Sequence, residues 1–203
     1  MNDIALVRVE AMSVAVSDTF AQNRTWEYEP IAKDRNDFAR FVEALPGKKV
    51  LDLGCGHGMY APDFMGAGLD YLGIDNSPNM IREARKDNPD ARFQIMSLNR
   101  MLFPDESFDG IWACCSITTT PKSKIKGSIE KMRQLLTPHG VMMTVVPNFG
   151  FSYDDINDHP DGAFWYSIYT ADEFRELFRS CGFQVIGFWE DETHRAMSIL
   201  AKK

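Results

Sequence analysis

The sequence lacks a long hydrophobic run. No stretch approaches the roughly 18 apolar residues that a spanning helix requires. Asp3, Arg8 and Glu10 interrupt the apolar stretches near the N-terminus, which has no ordered sequence of basic start, apolar core and cleavage site. Basic clusters are also scarce. Lys122, Lys124 and Lys126 form the densest group, which reads as one solvated helix face, and the formal net charge is -7. Phosphate binding usually needs a concentrated positive footprint. A nucleic-acid partner is therefore not favoured, although a local groove can oppose the net charge. Cysteine is sparse: Cys55, Cys114, Cys115 and Cys181. No pair has zinc-ligand spacing, and the adjacent pair does not easily bridge. They read as reduced thiols of a cytoplasmic protein. Internal repeats and low-complexity linkers are absent.

What remains is a chain of 203 residues, 44% of them hydrophobic, which is enough for one packed domain. From residue 49 onward, short apolar runs alternate with amphipathic stretches. KVLDL (49–53), YLGID (71–75), ARFQIM (91–96), SFDGIWACC (107–115) and VMMTVVP (141–147) read as strands. The fourth is almost continuously apolar, as expected of a strand buried on both faces. Helices are expected over 59–68, 77–88, 122–136 and 170–182. Ser77 caps the second of these and Pro78 takes its first position. Thr170 and Glu173 suit a capping box and Gly182 a stop. TPHG (137–140) reads as a turn. FQVIGFWE (183–190) and RAMSILAK (195–202) read as two final strands that can pair antiparallel. This order predicts an α/β fold with a mostly parallel seven-stranded sheet, helices on both faces and the last strand antiparallel. Residues 1–45 are read as a helical lid, with 26–45 largely helical. Residues 148–169, rich in Asp, Asn, Gly and aromatics, are too long for a bare connector and are read as an acceptor-site insertion.

The strongest local signal is VLDLGCGHG, residues 50–58. A strand delivers the chain into Gly54, Gly56 and Gly58, where glycine permits unusual dihedrals and close ligand approach. Open α/β sheets form their ligand crevice at such strand ends. Asp52 lies late on the strand, where its carboxylate is expected to accept from a cofactor amine or loop amides. Asp75 ends the next strand, where a carboxylate can take both hydroxyls of a ribose. A dinucleotide fingerprint needs glycine at the first, third and sixth positions; counting from Gly54, the sixth is Met59. A purely structural turn is the remaining alternative.

These segments resemble the class I S-adenosylmethionine-dependent methyltransferases of the small methyltransferase-domain type. VLDLGCGHG is similar to the family's first motif and YLGIDNS to its second. FPDESFDGIWA (103–113), QLLTPHGVMM (134–143) and YTADEFRELFRSCGFQVI (169–186) resemble later segments, in the correct order. The resemblance implies S-adenosylmethionine as cofactor. Gly54, Cys55 and Gly56 would pack on its methionine part, Asp52 would help hold its amino group, and Asp75 would bind the ribose. Asn76 would lie beside the adenine, Ser97 and Leu98 would contact its edge and ring, and Met80 would also bind the cofactor. Cys114 would line the floor near the sulfonium, with Cys115 and Ser116 beside it. The chain departs from the pattern in three places. Ser97 stands where the family often has an acid, so that weaker binding or compensation by Asn99 is expected. Thr119 stands where a histidine is common, and His139-Gly140 replaces paired glycines.

A sulfonium methyl is already activated, so alignment supplies much of the rate and a base is needed only for a protonated acceptor. His159, in NDHPDG, is the candidate general base, set against a solvent-facing loop histidine. Tyr153, Phe164, Trp165 and Tyr166 are candidates for the acceptor wall, and Trp26 and Tyr28 for a lid; each can equally be packing. Ser116 is placed with the acceptor. His57, His139 and His194 read as non-catalytic. Asp154, Asp155, Asp158 and Asp161 do not match a calcium loop. Beside the aromatics they would suit a cationic or amine acceptor, and a solvated loop is the plainer reading. No metal is expected. The expected activity is methyl transfer to a small-molecule N or O nucleophile by in-line displacement. The alternative is a cofactor-binding scaffold or regulator that has lost catalysis.

Overall fold

A computed structural model describes residues 3–23, 36–191 and 195–203. Its strands are β1 (Lys49–Leu53), β2 (Asp70–Asp75), β3 (Arg92–Ile95), β4 (Phe108–Cys114), β5 (Leu136–Pro147), β6 (Tyr153–Asn157), β7 (Phe164–Ile168), β8 (Gln184–Asp191) and β9 (Ala196–Lys202). Its helices are α1 (Asp3–Asn23), α2 (Asp37–Ala44), α3 (Ala61–Gly66), α4 (Pro78–Asp87), α5 (Lys122–Leu135) and α6 (Ala171–Ser180). Seven strands form one sheet in the order β3-β2-β1-β4-β5-β9-β8. β1 to β5 pair in parallel, and β9 runs antiparallel to both β5 and β8. The mostly parallel sheet with an antiparallel last strand is the one expected from the alternating runs.

The central strands carry apolar side chains on both faces because helices cover both. On one side Leu53, Ile111 and Met142 meet Ile125, Ile129 and Met132 of α5 and Phe174 and Phe178 of α6. On the other, Trp112 is fully buried, with the rings of Phe38, Phe41, Tyr60 and Phe64 within 5.2–6.3 Å of it. Each such aromatic pair adds about 0.5–1.5 kcal/mol beyond area burial. The caps form as expected. Ser77 Oγ accepts from Met80 N, and Thr170 and Glu173 complete a reciprocal capping box. No helix among the described residues is long and apolar enough to cross a membrane.

One expectation changes, and the N-terminal helical segment gains its bounds. Its long helix is α1, at residues 3–23, inside the helical lid expected over 1–45. Helix within 26–45 is seen at α2, and residues 24–35 lie outside the described residues. Val9, Ser13 and Val16 recur on one face of α1 and are buried, the spacing of an amphipathic helix. That face packs on α4, β7 and the turn after β4. TPHG is not a separate turn. Leu136 pairs with Phe108 and Val141 with Gly110, so residues 137–140 bulge out of β5 with His139 in the left-handed region. Within residues 148–169, β6 and β7 pair into an antiparallel hairpin.

Candidate cofactor cleft

β1 ends at Gly54, and Gly54 and Cys55 both donate their amides to Ile74 O of β2. This folds the loop back over the strand ends. Gly54 has φ +66°, and a Cβ there would lie 2.5 Å from Ser116 Cβ. Side chains are excluded by conformation and by the approach of the chain leaving β4. Gly56 has φ +54° but open space where a Cβ would point. The first glycine is needed for packing, and the second leaves bare backbone facing a cleft.

That cleft, about 260 Å³, opens at the carboxyl ends of β1, β2, β3 and β4. Gly54, Gly56, Asp75, Asn76 and Met80 form one side. Met96, Ser97, Leu98 and Asn99 form the next, and Cys114, Cys115 and Ser116 form the floor. Glu10, Ser13 and Ser17 of α1 close it from above. Asp75 is anchored by its neighbours: Oδ2 accepts from Gly56 N at 3.0 Å and Oδ1 from Ser77 N at 2.8 Å. Burial raises its pKa, opposed by these amides. Each oxygen retains acceptor capacity. Ser13 Oγ and Ser116 Oγ are buried without a hydrogen-bond partner among the described residues. Such hydroxyls are rare unless a water or ligand completes them. Cys115 leaves β4 with φ +56°, a costly conformation for a residue with a Cβ and one that clusters at functional sites. Hydrogen bonding to Cys115 and burial hold the Cys114 thiol well above its ordinary range, so it lines the floor as a neutral group.

Of the residues expected to hold a cofactor, Gly54, Gly56, Asp75, Asn76, Met80, Ser97, Leu98 and Cys114 all reach this cleft, and so does Ser116. Two do not. Asp52 is 2% exposed and turned into the core, where Oδ2 accepts from Tyr71 OH at 2.8 Å. Desolvation pushes its pKa up to about 7, opposed by the Tyr71 hydrogen bond. Cys55 is buried in the same core cluster as Tyr71 and Phe93. Both support the loop from behind and do not line the cleft wall.

The acceptor-side expectations fare differently. His159 sits at the tip of the β6–β7 hairpin, off the cleft wall. Its Nδ1 accepts from Asp161 N at 3.2 Å and lies 3.3 Å from the Asp161 carboxylate. Its ring packs edge-on against Phe20 of α1 and near Phe164. Tyr153, Phe164, Trp165 and Tyr166 also stand off the cleft wall. Tyr153 OH donates to Ile156 O, and Phe164 packs on Tyr166. Trp165 Nε1 donates to Asp154, which also accepts from Ser167 Oγ and Lys122 N. That knot ties the hairpin to the start of α5 and engages one member of the acidic cluster. Trp26, Tyr28 and His194 lie outside the described residues. Glu10, Ser13 and Ser17 of α1 were not among the expected site residues; they recur at i, i+3 and i+7 as one polar strip of the helix, and that spacing was the available signal.

Residues 50–140 match the profile of a methyltransferase domain. A demethylmenaquinone methyltransferase of Renibacterium salmoninarum is 28% identical over 112 residues, spanning 54% of this chain and 46% of that protein. Phosphoethanolamine N-methyltransferase 3 of Arabidopsis thaliana is 25% identical over 82% of this chain and 35% of that protein. The chain thus spans about half or less of these two curated relatives. Among solved structures, a Burkholderia thailandensis 1,6-didemethyltoxoflavin-N1-methyltransferase with bound S-adenosylhomocysteine superposes with a TM-score of 0.75 at 19% identity, covering 96% of this chain and 89% of that one. Over residues 50–140 the chain is thus similar to methyltransferase domains, and it shares its fold with the Burkholderia enzyme.

Proposed function

We propose that the protein binds S-adenosylmethionine in this cleft and transfers its methyl group to a small-molecule nitrogen or oxygen nucleophile. One observation carries the reading: bare Gly56 backbone, the Asp75 carboxylate and two unpartnered hydroxyls, Ser13 and Ser116, converge on one cavity. The donors and acceptors of an adenosyl amino acid suit that set. The Asp75 oxygens can accept from the ribose hydroxyls. Met80, Met96 and Leu98 offer apolar contact to a flat base, and Gly54 and Gly56 allow the amino-acid part to approach the main chain.

When bound, the cofactor supplies a sulfonium whose methyl carbon is open to displacement. An acceptor's lone pair would take that methyl as its bond to sulfur breaks, with S-adenosylhomocysteine as the leaving group and the acceptor's proton lost to solvent. The chain's own contribution is orientation and exclusion of water by α1 and the cleft floor. No histidine lines the cleft among the described residues, and the neutral Cys114 thiol does not serve as a base. This favours an acceptor that is nucleophilic without help. Residues 3–23 act as the lid in this reading. Calorimetric titration with S-adenosylmethionine and S-adenosylhomocysteine, with NAD as control, tests it. Saturable one-to-one binding of the first two is expected. Binding of NAD instead overturns the reading, and cofactor binding without turnover on any acceptor favours a scaffold that has lost catalysis.

A further inference from the structure

Two carboxylates line the cleft among the described residues, Asp75 and Glu10. Asp75 is committed beside the glycine loop. Glu10 stands at the opposite end, over the loop that follows β3, and it is buried although it belongs to the N-terminal helix. Three donors fix it: Ser97 Oγ at 2.5 Å and Asn99 Nδ2 at 3.1 Å on Oε1, and the Arg100 guanidinium at 2.9 Å on Oε2. A carboxylate offers about four acceptor sites, so one remains. Asn76, Met96 and Ser97 line both the cleft and the adjoining groove, and Glu10 lies on the boundary between them.

We propose that Glu10 receives the exocyclic amine of the cofactor's adenine, so that α1 supplies from 87 residues away the acid that position 97 lacks. The inference rests on the cofactor reading above. An ionised carboxylate accepts hydrogen bonds and gives none, so it welcomes an amino group and repels a carbonyl oxygen at the same place. Ser97 and Asn99 donate to Glu10 and thereby aim it. They are positioning residues, and Asn99 is held in turn by Ser128 Oγ at 2.6 Å. Recognition of the base and closure of the lid become one event, because the residue that reads the base is part of the lid. A contact that only latched α1 would treat every base alike.

The test compares S-adenosylhomocysteine with its 6-keto counterpart, S-inosylhomocysteine, by calorimetric titration of the wild type, Glu10→Ala and Glu10→Gln. The wild type is expected to prefer the amino form by about 10- to 100-fold, the range for a hydrogen bond to a charged group. In Glu10→Ala the preference should fall towards unity, mainly through lost affinity for the amino form. Glu10→Gln, close in size and able both to donate and to accept, should lose most of the preference while keeping α1 in place. Adding Ser97→Asp to Glu10→Ala should restore it by returning an acid to the β3 end. A wild-type preference that survives in both single variants, with both ligands weakened equally, overturns the proposal and leaves Glu10 as a latch. Failure of the wild type to bind S-adenosylhomocysteine at all overturns the cofactor reading itself.

Discussion

The Tyr71 hydroxyl donates to Asp52 Oδ2 across 2.8 Å in a part of the core that water does not reach. This single donor does not offset the cost of burying the charge, and the carboxyl is pushed up to about 7. The unfolded chain releases that proton near 3.8. Between the two values the unfolded state has lost a proton that the folded state retains, so rising pH favours unfolding. The contribution is intact below about pH 4, falls through the interval and is lost above about pH 7. It amounts to roughly 4 kcal/mol if the whole difference is realised. Asp52→Asn removes it. Urea midpoints from pH 4 to 8 should show the variant gaining stability relative to the wild type as pH rises, and a constant difference would mean that Asp52 is ionised in the core.

Asp75→Ala should weaken S-adenosylhomocysteine binding by about 10- to 100-fold or more, since it removes charge-assisted acceptors. It also releases the Gly56 and Ser77 amides, so thermal stability should fall as well. Titration calorimetry gives the first quantity and a melting curve the second. Unchanged affinity would remove Asp75 from the binding site.

Gly54→Ala and Gly56→Ala should separate packing from access. Both glycines are left-handed, which costs an alanine about 1–2 kcal/mol. Only at position 54 does the new methyl also meet Ser116, adding about 1–3 kcal/mol. Gly54→Ala should therefore be the less stable protein. Gly56→Ala should fold more nearly as the wild type does and lose cofactor affinity. Equal denaturation midpoints would contradict the close approach of the β4 exit.

His159→Ala should cost about 1 kcal/mol of stability through the Phe20 and Phe164 ring contacts. Turnover of any accepted acceptor, and its pH profile, should be unchanged. A fall of a hundredfold in kcat, with a changed pH profile, would return His159 to the reaction.

The parallel half of the sheet was legible because buried strands leave apolar runs and capped helices leave Ser77-Pro78 and Thr170-Glu173. The residues at the strand ends were legible for the same reason: once β1, β2, β3 and β4 are placed, Gly56, Asp75, Ser97 and Cys114 must share one edge. Direction was harder. Asp52 is one residue from Leu53 and two from Gly54, and nothing local says whether its side chain turns towards the cleft or towards Tyr71; that follows from strand alternation against a neighbour. A helical lid over residues 1–45 was expected, but the partner of Glu10 was illegible from local pattern, since it meets Ser97 only after the chain has folded back. The hairpin aromatics were expected to wall an acceptor pocket or to pack, and nothing local separates the two, because Phe20 lies far from Phe164 in sequence.

β9 fills the slot between β5 and β8, pairing Val141 with Lys202 on one side and Gln184 with Lys202 on the other. Until Ala196–Lys202 has been made, β5 therefore has a bare edge, and that edge runs through Val141, Met142, Met143, Val145 and Val146, all buried in the finished protein. An apolar strand left open in this way is a template for pairing with another chain. During synthesis and refolding, the vulnerable interval is set by how quickly the seventh strand arrives, and long-range pairing of this kind is slow to close. Deleting or proteolytically trimming that strand should turn a folding protein into a self-associating one before it costs a single cleft residue.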